Sequence, residues 1–302
     1  MSNRKMQRIK TFGRWFFLLA IPAVVGFFSI CCYMDRTRID MNRKTYLPQW
    51  DSVSTSQWQA LAQKKIFFAH MSVGNNILDG AQAVLQNHPD VFLAVTRTSD
   101  PADMHLPALY HTEELGHNAE PFLKIDSFRS IVDRIQSACP DIVLMKFCYV
   151  DIASGSDVAA VFSAYQKTMS EMKSRMPDTL FLHCTVPLES PQLSMKRRCK
   201  EIIKACLGRP TRTDNNYKRM QFNEMLRNTW PAEQILDIAQ IESTNPKGFL
   251  CYKIRRGQRI PFLCSSYTSD GGHLNDTGAQ RVGQQFLIFL ANAATPSEQK
   301  KQ

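Results

Sequence analysis

Two short segments near opposite ends of the chain carry the residue types of nucleophilic catalysis. The first is His70-Met71-Ser72-Val73-Gly74, where Ser72 follows a short apolar run and precedes a helical pattern. A hydroxyl there lies at the amino end of a helix, whose unpaired N–H groups can stabilise an oxyanion. The same position also suits a serine that merely caps the helix. The second segment is Asp270-Gly271-Gly272-His273-Leu274-Asn275. An Asp placed before a His in a Gly-bearing turn can orient one ring nitrogen while the other faces a serine hydroxyl as general base. An ordinary loop leading into a helix reads the same way, and spacing alone does not decide.

The elements around these segments say where they would meet. Lys65–Ala69 is a short apolar run, followed by Asn76–Leu85, whose Ile77, Leu78, Ala81 and Leu85 recur at helical spacing. Val91–Val95 reads as a second strand and Ile125–Ile135 as a helix. Ile142–Tyr149 is apolar without alternation, as expected of a central parallel strand covered on both faces. Asp157–Met176 reads as a helix, Thr179–Val186 as the fourth strand and Ile235–Ile238 as a fifth. Ser194–Leu207, Asn216–Trp230 and Asp276–Ala294 read as helices. Strands separated by helical stretches imply crossover units and a parallel sheet, whose site forms outside the carboxyl ends of the strands.

Taken together, the two segments resemble the SGNH (GDSL-like) hydrolase superfamily, in a divergent bacterial branch with an H-x-S-V-G first block and a D-G-G-H-L-N last block. The resemblance covers roughly residues 64–292. It implies a flavodoxin-like three-layer α/β/α domain with a five-stranded, mostly parallel sheet, and a Ser72, His273 and Asp270 triad acting on an ester through an acyl-enzyme. It also implies oxyanion donors: the backbone of Gly116 in Leu115-Gly116-His117-Asn118, and an asparagine after the third strand. Phe147-Cys148-Tyr149-Val150-Asp151 stands where that asparagine is usual, and Val150 has no side-chain donor. Asn118 is the substitute expected from the neighbouring loop. Lys146 and Asp151 flank the third strand's end and are expected to pair. The same machinery serves a hydrolase or an O-acyltransferase, and the departures from the usual blocks leave open a catalytically silent carbohydrate-binding or envelope-assembly protein.

Other motifs weaken on inspection. Ser170-Glu171-Met172-Lys173 matches S-x-x-K but falls inside an amphipathic helix. His183 and Cys184 adjoin in a strand and so point to opposite faces, against joint metal ligation. No zinc-protease, P-loop or dinucleotide fingerprint occurs, so no cofactor and no metal are expected.

The chain has 302 residues, 44% hydrophobic and 21% charged, enough for one α/β domain with an appendage and too apolar for a disordered chain. Of the +10 net charge, +7 lies between residues 190 and 219, where nine Lys and Arg (Lys196 to Arg219) face only Glu201 and Asp214. Such a stretch is either a solvated helix face or a surface for a polyanion. No nucleic-acid-binding signature accompanies it, so nucleic acid is not an expected partner.

Trp15 to Met34 is a run of 20 residues without a charge, long enough to span a bilayer, and five basic residues precede it. The competing reading is a cleaved signal peptide. It wants a shorter apolar region and small residues at its end, where Phe27, Phe28, Ile30 and Tyr33 stand instead. The expected plan is therefore a cytoplasmic tail (1–14), a transmembrane anchor (15–34), a polar tether (35–55), the hydrolase domain (56–295) and a short tail (296–302). The domain would face the periplasm or exterior, with a small-molecule or carbohydrate ester as substrate. Leu250–Leu263 reads as a hairpin around Gly257 and Gln258, which sets Cys251 opposite Cys264, a candidate disulfide in an oxidising compartment.

Overall fold

The computed structural model describes residues 38–191, 195–255 and 257–295. The expected tails and the apolar run 15–34 lie outside the described residues. Among the described residues no helix is long and apolar enough to cross a membrane.

Nine strands and eight α-helices are seen among the described residues. The strands are β1 (Arg38–Lys44), β2 (Lys65–Ala69), β3 (Val95–Arg97), β4 (Ala108–Thr112), β5 (Ile142–Met145), β6 (Leu180–Cys184), β7 (Ile235–Leu236), β8 (Phe249–Arg255) and β9 (Gln258–Pro261). The helices are α1 (Thr55–Leu61), α2 (Val73–Gln86), α3 (Pro121–Ile135), α4 (Val158–Arg175), α5 (Met195–Cys206), α6 (Arg212–Thr229), α7 (Ile238–Ser243) and α8 (Asp276–Ala294).

The main sheet has six strands in the order β3-β4-β2-β5-β6-β7, and every pairing is parallel. The expected five become six because Ala108–Thr112, whose apolar run is cut short by His111 and Thr112, inserts beside β2, and the second strand lies at Val95–Arg97 rather than Val91–Val95. Alternation along β2 separates the two cores. Ile66 and Phe68 face α1, α2 and α8, while Phe67 and Ala69 face α3, α4 and α6. This is the three-layer α/β/α arrangement, and β5, buried at all four positions, lies near its centre as the unbroken apolar run requires.

A smaller antiparallel sheet, β1-β8-β9, stands beside it. Part of the expected tether, residues 38–44, is thus a paired strand, because backbone hydrogen bonds to β8 satisfy a polar segment that has little apolar surface to bury. The hairpin forms with a shifted register. Arg255 faces Gln258, with Gly257 at φ +75°, so Cys251 lies opposite Phe262 and Cys264 is its diagonal neighbour. The two cysteines are nonetheless bonded, with Cα atoms 5.9 Å apart.

One helix pair positions the rest. A Cβ on Gly80 of α2 would stand 1.9 Å from the carbonyl oxygen of Ala279, and one on Gly283 of α8 would stand 2.3 Å from the amide of Ala81. The two helices therefore cross with their backbones in contact. Their amino ends are the two segments singled out above.

Candidate active site

β2 ends at Ala69, and the chain turns through Ser72 into α2. Ser72 has φ +53° and ψ −105°. Such a conformation costs a residue with a Cβ ~1–3 kcal/mol and persists only where the surroundings impose it. His70 supplies part of that constraint: its buried ring fills the space beside Gly74, whose Cβ would stand 2.4 Å from the ring's Cγ. Burial, and then the charge of Lys146, push His70 down to about 2. The ring is neutral, with Nε2 3.1 Å from Nδ1 of His111, and belongs to the scaffold.

Ser72 makes no capping hydrogen bond to α2. Its Oγ lies instead 2.7 Å from Nε2 of His273, and Nδ1 of that ring lies 2.7 Å from Oδ2 of Asp270. An ionised carboxylate can only accept, so the ring proton sits on Nδ1 and Nε2 is left to accept from the serine hydroxyl. Partial burial alone would raise Asp270. Hydrogen bonds from the His273 ring and from the backbone N–H groups of Gly272 and His273 outweigh it and hold the carboxyl well below the usual range.

Each residue of the second segment has a local reason. Gly271 adopts φ +87°. A Cβ on Gly272 would stand 2.7 Å from the Tyr149 ring, which also meets His273 edge-on at 5.9 Å between centroids. The Leu274 amide donates to Asn76 Oδ1 of α2 (3.2 Å), and Asn275 caps α8 through the Gly278 amide. The basic stretch braces this turn from outside. Arg197 donates to the Asp270 carbonyl at 3.0 Å and Arg212 to the Gly271 carbonyl at 2.8 Å. Tyr149 is fixed in turn by buried Arg219, which donates to its carbonyl at 2.7 Å and to Glu189 at 2.8 Å.

The residues expected to face an oxyanion follow the adjacent strand. β2 and β4 run in register, Ala69 beside Thr112, so the turns after them are neighbours. Gly116 adopts φ +63° in the second turn. Neither its amide nor that of Ser72 has a hydrogen-bond acceptor among the described residues. Asn118 is exposed, and its Oδ1 accepts from Lys124 Nζ at 2.8 Å, which leaves the Nδ2 amide to donate elsewhere.

The expected Lys146–Asp151 pair is not formed. Asp151 pairs with Lys124 at 2.7 Å, both side chains wholly buried, and accepts from the amides of Cys148 (2.6 Å) and Ala119 (2.9 Å). Lys146 donates instead to the Phe147 carbonyl at 3.1 Å. The reason is topological: Ile125 and Phe128 of α3 pack into the core above β5, which delivers Lys124 to Asp151 from the neighbouring turn. Asp151 therefore ties the Gly116–Ala119 turn to the end of β5. Sequence reading missed the roles of Lys124, Tyr149 and Asn76, and took Arg197, Arg212 and Arg219 only as part of a basic stretch, because none of these contacts follows from a recognisable spacing.

Among the described residues no group of His, Cys, Asp and Glu is placed to hold a metal ion. His183 binds the Tyr165 hydroxyl at 2.8 Å and stacks on Trp230, whereas Cys184 packs in the opposite core. Lys173 lies in α4 and binds the carbonyls of Pro177 and Thr179. Along the face of α6 formed by Asp214, Tyr217, Lys218 and Gln221, which is turned away from Arg212 and Arg219, an open cleft of about 430 Å³ is also lined by Arg209 and Arg255 among others. Asp214 is taken up by Arg255 at 2.8 Å, and among the described residues neither Arg209 nor Lys218 meets a carboxylate.

No family model and no curated protein matches the chain. Solved structures do. A lipase/acylhydrolase from Enterococcus faecalis is 13% identical with a TM-score of 0.43, over 78% of this chain and 98% of that one. The periplasmic domain of a Salmonella ser. Paratyphi A lipopolysaccharide acetyltransferase is 12% identical with a TM-score of 0.42, over 80% and 88%. An acetyl esterase is 13% identical with a TM-score of 0.42, over 76% and 98%. At such scores the likeness decides neither reaction nor substrate.

Proposed function

We propose that this chain is a serine esterase or deacylase of the SGNH kind. The observation that carries the reading is the relay Ser72 Oγ, His273 Nε2 and Nδ1, Asp270 Oδ2, with 2.7 Å at each contact, built on a serine held in a strained turn. Ser72 Oγ attacks the ester carbonyl carbon while its proton passes to His273 Nε2. The amides of Ser72 and Gly116, with the Asn118 amide, donate to the oxyanion, a kind of contact worth roughly a hundredfold or more in rate per donor. His273 returns the proton to the departing alcohol oxygen. Water then gives a proton to His273, its oxygen attacks the acyl carbon, and the acid leaves as Ser72 recovers its proton. Asp270 stays ionised throughout and holds the ring tautomer.

His273 and Asp270 are 46% and 51% exposed, which gives water access to the acyl-enzyme and supports hydrolysis over transfer to a second alcohol. The basic stretch that braces the turn, through Arg197 and Arg212, supports an O-acylated carbohydrate of anionic character as the substrate class. Membrane anchoring by residues 15–34, with the domain outside the cytoplasm, rests on the uncharged run and the basic residues before it. A fluorophosphonate probe should label wild-type protein at Ser72 and fail on Ser72→Ala. A folded wild-type protein that takes no label would leave a carbohydrate-binding role as the better reading.

A further inference from the structure

The edge strand β1 is a surface with no partner in the fold. It pairs with β8 along one side only, so its other side presents unpaired backbone groups, a hazard that folds usually cover or disguise. Ile39 and Met41 are 51% and 66% exposed, beside the bulge that shifts the pairing with β8 between Asp40 and Lys44. Tyr46 just beyond is 80% exposed, with Lys44 Nζ over its ring at 5.1 Å. Arg38 and Lys44 are exposed at either end of the strand. The one carboxylate in it, Asp40, is buried and paired with Arg259. What the strand offers is therefore apolar, aromatic and cationic together, the composition of segments that lie in the headgroup region of an anionic bilayer.

Chain length identifies the occupant. The uncharged run ends at Met34 and β1 begins at Arg38, a separation of four residues. At ~3.5 Å per residue the connection reaches no further than ~14 Å. With the run in a bilayer, as proposed above, β1 is the first part of the domain that the membrane surface meets.

We infer that β1 docks on an anionic lipid surface, with Ile39, Met41 and Tyr46 in the headgroup layer and Arg38 and Lys44 against lipid phosphates. The inference rests on the membrane-span reading. It goes beyond it by fixing which face of the domain lies on the bilayer, so that the anchor acts as a short strap.

The test uses the full chain in vesicles of phosphatidylcholine with or without phosphatidylglycerol. Benzoylphenylalanine is placed at Met41 and, as control, at Phe92, which is 74% exposed at a site away from β1. Irradiation should yield lipid adducts at position 41 and not at 92. Arg38→Glu combined with Lys44→Glu should lower the adduct yield by half or more in the phosphatidylglycerol vesicles. A chain that floats with the vesicles and takes the fluorophosphonate label, yet gives no lipid adduct at 41, would overturn the docking while leaving anchor and active site intact. Adducts to a second copy of the chain would overturn it in favour of strand pairing between molecules. A chain that does not float would overturn the span and the docking with it, and because labelling of Ser72 is read separately, failure of the catalytic reading remains distinguishable.

Discussion

Gly80 and Ala279 approach so closely that a methyl group on the first would stand 1.9 Å from the carbonyl oxygen of the second. Ser72 begins one of the two helices that meet there, and His273 lies just before the other. Gly80→Ala must therefore move backbone against backbone. Overpacking of this kind usually costs ~1–3 kcal/mol. A lower melting temperature should be accompanied by a fall in kcat for p-nitrophenyl acetate, because the crossing sets the Ser72–His273 distance. A variant that loses stability but keeps full kcat would separate the crossing from the site.

Ser72→Ala and His273→Ala should each reduce turnover of p-nitrophenyl acetate by roughly 10⁶-fold, with little change in the melting curve. Ser72→Gly offers a sharper contrast. Glycine adopts φ +53° without strain, so this variant should be inactive and yet melt higher than wild type, by the equivalent of about 1 kcal/mol. Retained turnover in any of the three would refute the assignment of Ser72 and His273.

The Lys124–Asp151 pair makes a prediction about coupling. Both side chains are wholly buried, and removing one partner strands the other charge, typically at a cost of 3–5 kcal/mol. Lys124→Met should destabilise strongly, while Lys124→Met with Asp151→Asn should recover part of the loss. Asn118→Ala keeps the ion pair but removes an acceptor of the buried Lys124 Nζ, so kcat should fall by roughly a hundredfold and the melting temperature should fall as well, though less than in Lys124→Met. An Asn118→Ala enzyme with wild-type kcat would remove that residue from the oxyanion site.

Glu242 should give stability an unusual pH dependence. Burial pushes its carboxyl up to about 8, against the opposing pull of the Leu188 amide and of Lys146 and Arg219, and its Oε1 has no hydrogen-bond partner. The unfolded chain ionises this group near its ordinary value of 4.5, whereas the folded chain keeps its proton to about 8. Between those values the folded state binds more protons, so this group's contribution to stability falls as pH rises. Glu242→Gln keeps an acceptor for Leu188 and cannot ionise. It should gain melting temperature over wild type at pH 8 and lose that advantage near pH 4.5; equal gains at both would show that the carboxyl does not titrate as described.

Arg209→Glu with Lys218→Glu reverses the charge of the cleft at its two cations that meet no carboxylate. The KM for an acetylated anionic polysaccharide should rise several-fold, since each lost contact weakens substrate attraction. The KM and kcat for neutral p-nitrophenyl acetate should not move. An equal effect on both substrates would mean that the cleft supports the fold and does not select the substrate.

The segments that carry the proposed relay stood out in the sequence because residues around Asp270 and His273 also serve the backbone. Gly271, Gly272 and Asn275 are required by a turn and a cap, so the chemistry sits in a conspicuous local pattern. The closing helix, Asp276–Ala294, was readable for the same reason: a long amphipathic stripe behind a strong N-cap. β4 was not, since His111 and Thr112 cut the apolar run of ALYHT short. β1 was hidden because its sequence, RIDMNRK, gains its hydrogen bonds from a strand some two hundred residues later. Lys124 shows the general limit. A lysine in an amphipathic helix reads as solvated, and only the placement of Asp151 on another element makes it buried. The hairpin slipped for a subtler reason: Gly257 suits a tight turn at more than one position, and the fold pairs Arg255 with Gln258.

The relay stands at a rim and not at the bottom of a funnel, with about half of the His273 and Asp270 side-chain surface open to water. No chain end has to thread inward to reach it. An acyl group borne in the middle of a long polymer arrives there as readily as a terminal one, so deacylation would proceed at interior positions and leave the polymer's length unchanged.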